Sequence, residues 1–87
     1  MEFEFDPARS SSNKAKHGID FTEAQQLWLD QRRLEVRART DGEPRWLLVA
    51  SLHGKVWAAV ITYRPERVRI ISVRRARDKE RALYEDH

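Results

Sequence analysis

From Arg33 to Val73 the chain reads as a succession of strands, opening in clear period-two alternation. Leu34, Val36 and Ala38 alternate with Glu35, Arg37 and Arg39, and Thr40-Asp41-Gly42 then signals a turn. Two denser apolar runs follow, Trp46 to Leu52 and Val56 to Tyr63, joined by a turn around His53-Gly54. Pro65 stands at a favoured turn position before a last strand, Arg67 to Val73. Successive side chains on a strand point to opposite faces, so this spacing fits strands and not helices. Strands linked by such short turns pair antiparallel, and the expectation is an antiparallel meander. The density of the two middle runs predicts central strands covered on both faces.

Helices are expected on either side of the meander. A short strand, Met1 to Phe5, with Phe3 and Phe5 on one face, precedes Asp6-Pro7. That pair reads as an N-cap with proline at the first helical position, where its missing N–H costs nothing. The helix it starts runs to about Lys16, is mostly polar and should lie on the surface, with Gly18 as its C-cap. Asp20 with Glu23 predicts a capping box for a second helix, which carries the apolar stripe Phe21, Ala24, Leu27 and Trp28 and ends near Leu29. A closing helix is expected from Ala76 to Glu85. The predicted class is α+β, with two N-terminal helices packed on an antiparallel sheet and a C-terminal helix. At 87 residues the chain is expected to be one domain, residues 1–87, with one modest core.

Charge separates along the chain. Residues 1–44 carry seven Lys/Arg against nine Asp/Glu, whereas residues 45–87 carry ten against five. Eight of those ten cations are arginine, whose planar fork grips phosphate bidentately, so the second half points to an anionic partner. The sequence contains no cysteine, which removes disulfides, thiolate metal sites and cysteine nucleophiles. His17, His53 and His87 lack ligand spacing, so no metal site and no cofactor are expected. No run approaches the ~20 apolar residues of a membrane span, and the default expectation is a soluble protein of the cytoplasm.

If Arg64 and Arg67 flank the last turn, unbroken pairing puts Tyr63, Ile61, Ala59 and Trp57 on the core face. The same register sets Ser72 opposite Ala59 and Arg74 opposite Trp57, where that face would turn polar. On the closing helix Glu80 interrupts the stripe of Ala76, Leu83 and Tyr84. A carboxylate there needs a cation, Arg74 or Arg45, either as a structural ion pair or as part of a reactive site. RNA can be cleaved without a metal when its 2′-OH attacks the adjacent phosphate. The protein must then move two protons and neutralise charge on phosphorus. Arg64, Arg74 and Arg75 are candidate phosphate clamps, and Glu80, Tyr84 and His17 are candidate proton carriers. Trp46, Trp57 and Tyr63 could stack bases. Each has an ordinary structural role as well. His17 suits a helix C-terminus as a cation, Tyr84 suits a helix anchor, and the tryptophans suit the core.

Three stretches resemble the BrnT family of ribonuclease toxins from bacterial toxin–antitoxin pairs. FEFDPARSSSNKAKHGIDFTEA is similar to the family's aromatic strand, Asp-Pro or Asp-Glu helix start, Asn-x-x-Lys-His-Gly and Phe-x-x-Ala. Glu43-Pro44-Arg45-Trp46 matches Glu-x-Arg-Trp, and RIISVRRARDKERALYE matches Arg-Ile-Ile-Ser-x-Arg-x-Ala followed by Glu and Tyr. One departure is VASLHG, where relatives often show an Ile-Gly pair entering the hairpin. The resemblance implies a RelE-like fold and a metal-independent endoribonuclease that inhibits translation. It also implies neutralisation by a BrnA-type antitoxin that dimerises and binds DNA, giving a hetero-oligomer. Carried over by position, it marks Arg64, Arg74, Glu80 and Tyr84, and Lys16 and His17 match its Lys-His-Gly motif; with His17 these form the expected catalytic set. Lys16, Arg45, Arg67, Arg69 and Arg75 would bind RNA. The competing expectation is a non-catalytic module that binds RNA or protein through the same basic face.

Overall fold

The computed structural model describes all residues, Met1–His87. Strand β1 (Glu2–Glu4) leads into helix α1 (Pro7–His17) and helix α2 (Phe21–Ala24), which continues as a 3-10 turn over Gln25–Leu29. Strands β2 (Leu34–Ala38), β3 (Arg45–Leu52), β4 (Lys55–Arg64) and β5 (Arg67–Arg75) follow, and helix α3 (Asp78–Asp86) closes the chain. The fold is α+β, with a five-stranded sheet in the order β1-β5-β4-β3-β2.

The local signals act as expected at the helix ends. Asp6 Oδ1 accepts from the Ala8 N–H at 2.9 Å, and Gly18 closes α1 at φ 82, a left-handed conformation that glycine adopts without strain. Asp20 accepts from the Glu23 N–H while the Glu23 carboxylate accepts from the Asp20 N–H, a complete capping box. At the VASLHG departure, His53 (φ 52) and Gly54 (φ 77) form a two-residue turn between the paired residues Leu52 and Lys55. Positive φ at both central positions is what a tight hairpin of this length requires.

Two expectations about the sheet are corrected. β2 to β5 form the meander, but β1 pairs with β5 in parallel, Glu2 opposite Arg67 and Glu4 opposite Arg69, so the sheet is mixed. The intervening chain passes through both helices and three strands before returning to β1's neighbour, and nothing in β1's own alternation encodes that direction. The second correction is the β4–β5 register. Arg64 pairs with Arg67 and Ile61 with Ile70 as expected, but a bulge at Val60/Ile61 leaves Ile71 without an opposite residue. Beyond it Ser72 faces Val60, Val73 faces Ala59, Arg74 faces Ala58 and Arg75 faces Trp57. The bulge lets Val73 reach the core at 0% exposure and moves Arg74 to the other face.

One face of the sheet carries the main core, in which Phe21, Ala24 and Leu27 pack with Leu48, Ala50, Trp57, Ala59, Ile61, Ile70 and Val73. Phe3 and Phe5 pack against this cluster, Phe5 meeting Phe21 edge-on at 5.7 Å. The other face bears Val49 and Ala58, both buried, in one row with Arg74, and α3 packs against β3. No helix is long and apolar enough to cross a membrane.

Helix α1 is mostly polar, yet Ser10 and Asn13 on it are buried. β1 ends at Glu4, so β5 beyond Arg69 has no strand on that side. Asn13 supplies the missing partner. Its amide donates to the Val73 carbonyl at 2.9 Å and to the Ile19 carbonyl at 2.8 Å, while its Oδ1 accepts from the Val73 N–H at 3.1 Å. Ser10 Oγ accepts from the Phe21 N–H at 2.9 Å. Buried backbone groups left without partners are strongly unfavourable, which is why a polar helix face can be an inner face here. Asn13→Ala is expected to lower stability by about 2–3 kcal/mol, because it leaves the Val73 N–H buried and unpaired. Urea unfolding should show a lower midpoint at unchanged slope.

Candidate functional site

Alternation through the sheet sets Arg64, Arg67, Arg69 and Arg74 on the face opposite the Phe21 core, with Arg45 beside them at the start of β3. Arg75 is the exception. Paired with Trp57, it lies on the core side and places its guanidinium 5.6 Å from the Trp57 ring centroid, a cation–π contact. Expected as a phosphate clamp beside Arg74, it points away from that residue because adjacent strand positions face opposite ways.

Arg74 is gripped by α3. Its Nη1 and Nη2 donate to the two Glu80 oxygens at 2.7 and 2.8 Å, and Nη1 also reaches the Arg75 carbonyl at 3.3 Å. Glu80 Oε1 accepts in addition from the Arg77 N–H at 2.8 Å, which caps the start of α3. Both side chains are partly buried, at 24% exposure for Arg74 and 14% for Glu80. The hydrogen bond from Arg74 holds the Glu80 carboxyl below its ordinary value and outweighs burial, and the Glu80 carboxylate raises Arg74 in turn. Both groups are therefore ionised at neutral pH, and guanidinium N–H groups not directed at Glu80 or the Arg75 carbonyl remain for an anion.

Next to Ser72, two residues before Arg74 on the same face, α1 and β5 enclose a shallow groove lined by Arg9, Ser12, Lys16, His17 and Ile71. The Lys-His-Gly motif thus lies beside the Ser-x-Arg motif although they are far apart in sequence. At the other end of the sheet Arg64 meets Glu43 at 3.3 Å and Arg69 meets Glu4 at 2.8 Å. Arg45 and Arg67 take part in no salt bridge. Arg64 stands six residues along β4 from Ala58, the partner of Arg74, so the two arginines are separated by about 20 Å of strand. One phosphate cannot sit centrally between both.

Tyr84, one turn beyond Glu80 on α3, does not join the Arg74 cluster. Its hydroxyl donates to Asp30, whose carboxylate also accepts from the Ser51 N–H at 2.8 Å and the Arg32 N–H at 2.9 Å. Burial, then the bond to Asp30, raises the Tyr84 hydroxyl above its usual value. Burial pushes the Asp30 carboxyl up as well, but the three donors together leave it below its ordinary value. Asp30 and Asn13 are the two residues that reading the sequence for chemistry passed over. Asn13 stood in the Asn-x-x-Lys-His-Gly motif, and Asp30 followed the apolar stripe at a position suited to a turn.

No group of three or more His, Cys, Asp or Glu side chains is placed to hold a metal ion. The arrangement is that of a small α+β protein with arginines gathered on one sheet face, Arg64, Arg69 and Arg74 paired with carboxylates and Arg45 and Arg67 in no salt bridge. The sequence model of one family, described as the ribonuclease toxin BrnT of type II toxin–antitoxin systems, matches residues 5–80. The chain belongs to the BrnT family of ribonuclease toxins. No curated protein matches it.

The ion pair makes a pH prediction. The Glu80 carboxyl titrates lower in the folded chain than in the unfolded one. Its contribution is thus complete above the ordinary carboxylate range and is lost as pH falls through the depressed folded value. Glu80→Gln should cost about 1–3 kcal/mol at pH 7. The gap from the parent should close on acidification, as read by denaturant midpoints at descending pH.

Proposed function

We propose that this chain is an endoribonuclease that cuts RNA by attack of a 2′-OH on the adjacent phosphate, with cationic side chains in place of a metal ion. Its RNA cleavage would inhibit translation, and a BrnA-type antitoxin, a DNA-binding dimer, would neutralise it. The RelE-like relation of the fold and a cytoplasmic site of action belong to the same reading. The observation that carries it is the Arg74 fork on β5, held by Glu80 of α3 and two residues from Ser72 in the Lys16–His17 groove.

In this mechanism Arg74 stabilises the charge that develops on the phosphorane oxygens. A preorganised donor works best where it need not reorient during the reaction, and Glu80 supplies that fixity. Glu80 is a positioning residue, since a carboxyl held below its ordinary value by a guanidinium is a poor proton carrier near neutrality. His17 is the proton-transfer group, and Lys16 binds a phosphate beside it. Arg45, Arg64, Arg67 and Arg69 would hold neighbouring phosphates, because about 20 Å of strand spans several nucleotides and not one. Tyr84 anchors α3 through Asp30 and so keeps Glu80 in place.

The competing reading, a module that binds RNA or protein without cutting, is favoured by the carboxylates that already pair with Arg64, Arg69 and Arg74. Incubation of purified protein with RNA in the presence of a chelator separates the two. Cleavage should persist under chelation. Arg74→Ala and His17→Ala should each reduce it by about 10²-fold or more, with folding confirmed by circular dichroism. Binding without cleavage would sink the enzymatic reading. Cleavage abolished by the chelator would sink metal independence alone.

A further inference from the structure

We propose that the cavity between Trp28 and Tyr63, on the core side of the sheet and away from Arg74, binds an unpaired nucleobase that carries an exocyclic amino group. The cavity has a volume of about 410 Å³, within the range of sites for small ligands. Leu48, buried in the core, forms its base, and Gln31, Arg33 and Glu35 supply polar groups around it.

The aromatic rings are fixed before any ligand arrives. Trp28 packs edge-on against Phe3 with centroids 4.8 Å apart, and Tyr63 packs edge-on against Trp46 at 6.2 Å. A T-shaped contact engages at most one face of either ring, so each ring keeps a face that this contact does not cover, and stacking on such faces is how single-stranded RNA bases are commonly bound. Tyr63 remains 46% exposed, high for an aromatic side chain lining a cavity.

Recognition would come from Glu35. Its carboxylate accepts the Tyr63 hydroxyl and takes part in no salt bridge, so acceptor capacity remains. Burial, then Glu35 itself, pushes the Tyr63 hydroxyl up to about 12, which keeps it a donor to Glu35 at neutral pH. A carboxylate accepts from the amino groups of guanine, cytosine and adenine. Uracil offers one ring N–H between two carbonyl oxygens, which the carboxylate repels. Arg33, also outside the salt bridges, can meet the attached phosphate.

A path joins this pocket to the arginine face. A second cavity shares Met1 and Tyr63 with the first and is lined by Arg64 and Arg67 at the β4–β5 turn. Tyr63 and Arg64 are adjacent in β4 and face opposite sides of the sheet, so a strand crossing that turn passes from one surface to the other. That the base comes from substrate RNA rests on the nuclease reading, whereas recognition of the base does not.

The test is titration of tryptophan fluorescence with GMP, CMP and UMP, in the parent and in Arg74→Ala so that binding at the arginine face is discounted. GMP and CMP should give saturable quenching in both, with UMP at least about tenfold weaker. Glu35→Gln, a change at an exposed side chain, should weaken GMP and CMP by about tenfold and leave UMP unaltered. No saturation by about 10 mM, equal binding of UMP, or indifference to Glu35→Gln would overturn the proposal. So would loss of antitoxin capture in Glu35→Gln without nucleotide binding by the parent, which would make this a protein-docking surface. Cleavage assayed in parallel keeps the two readings apart. Base binding without cleavage defeats only the nuclease, and cleavage without base binding defeats only the pocket.

Discussion

The carboxamide of Asn13 pairs a buried stretch of β5 that its neighbouring strand does not reach. β5 runs to Arg75, but its parallel partner stops at Glu4, and the Val73 backbone in between is fully buried. Water cannot satisfy it, and no strand is available. An asparagine side chain carries an N–H and a carbonyl in the geometry of a peptide group, so it serves as a one-residue strand. Its second N–H takes the Ile19 carbonyl and fixes the corner where α1 gives way to α2. From that attachment follow the seat of Phe21 in the core and the location of Lys16 and His17 beside Ser72. The catalytic proposal depends on the second of these, and the stability of the fold depends on the first.

The Arg74–Glu80 pair shows how a structural and a functional account of one contact can coincide. Partly buried ions lose solvation, and a bidentate pair with an added backbone donor offsets much of that loss without guaranteeing a net gain in stability. What the pair does guarantee is orientation. Arg74 cannot swing freely toward solvent as an unpaired surface arginine would. Asp30 extends this constraint by binding Tyr84 and the Ser51 N–H together, so that α3 is tied at two points one helical turn apart. α3 has no fully buried residue, and these polar ties do work that an apolar stripe performs in α2.

Much of this architecture was legible from residue types. The caps at Asp6, Gly18 and Asp20 follow local rules of hydrogen bonding, and the strand from Leu34 to Ala38 follows from alternation alone. A cation for Glu80, Arg74 or Arg45, was anticipated because a carboxylate within an apolar helical stripe demands one, and Arg74 is the one that meets it. Three things escaped, each for a nonlocal reason. The parallel pairing of β1 depends on the path of the whole chain. The burial of Asn13 depends on where another strand ends. The bulge arises because Val73 gains more by reaching the core than the ladder loses at one position, a balance that no pattern within β5 displays. Of the candidate site, the need of Glu80 for an arginine partner could be read in advance. The isolation of Arg75 and the tether of Tyr84 to Asp30 could not.

The bulge also bears on how chains of slightly different length can share this site. Ile71 is the residue that the ladder skips, so a relative lacking one residue there would keep Val73 inward and Arg74 outward with an unbroken strand. Loss of a residue from the regular ladder elsewhere in β5 would exchange the two faces from that point on, unless a new irregularity absorbed it. In comparing such chains, a single-residue gap belongs at Ile71, the position whose loss is neutral to the placement of the arginines.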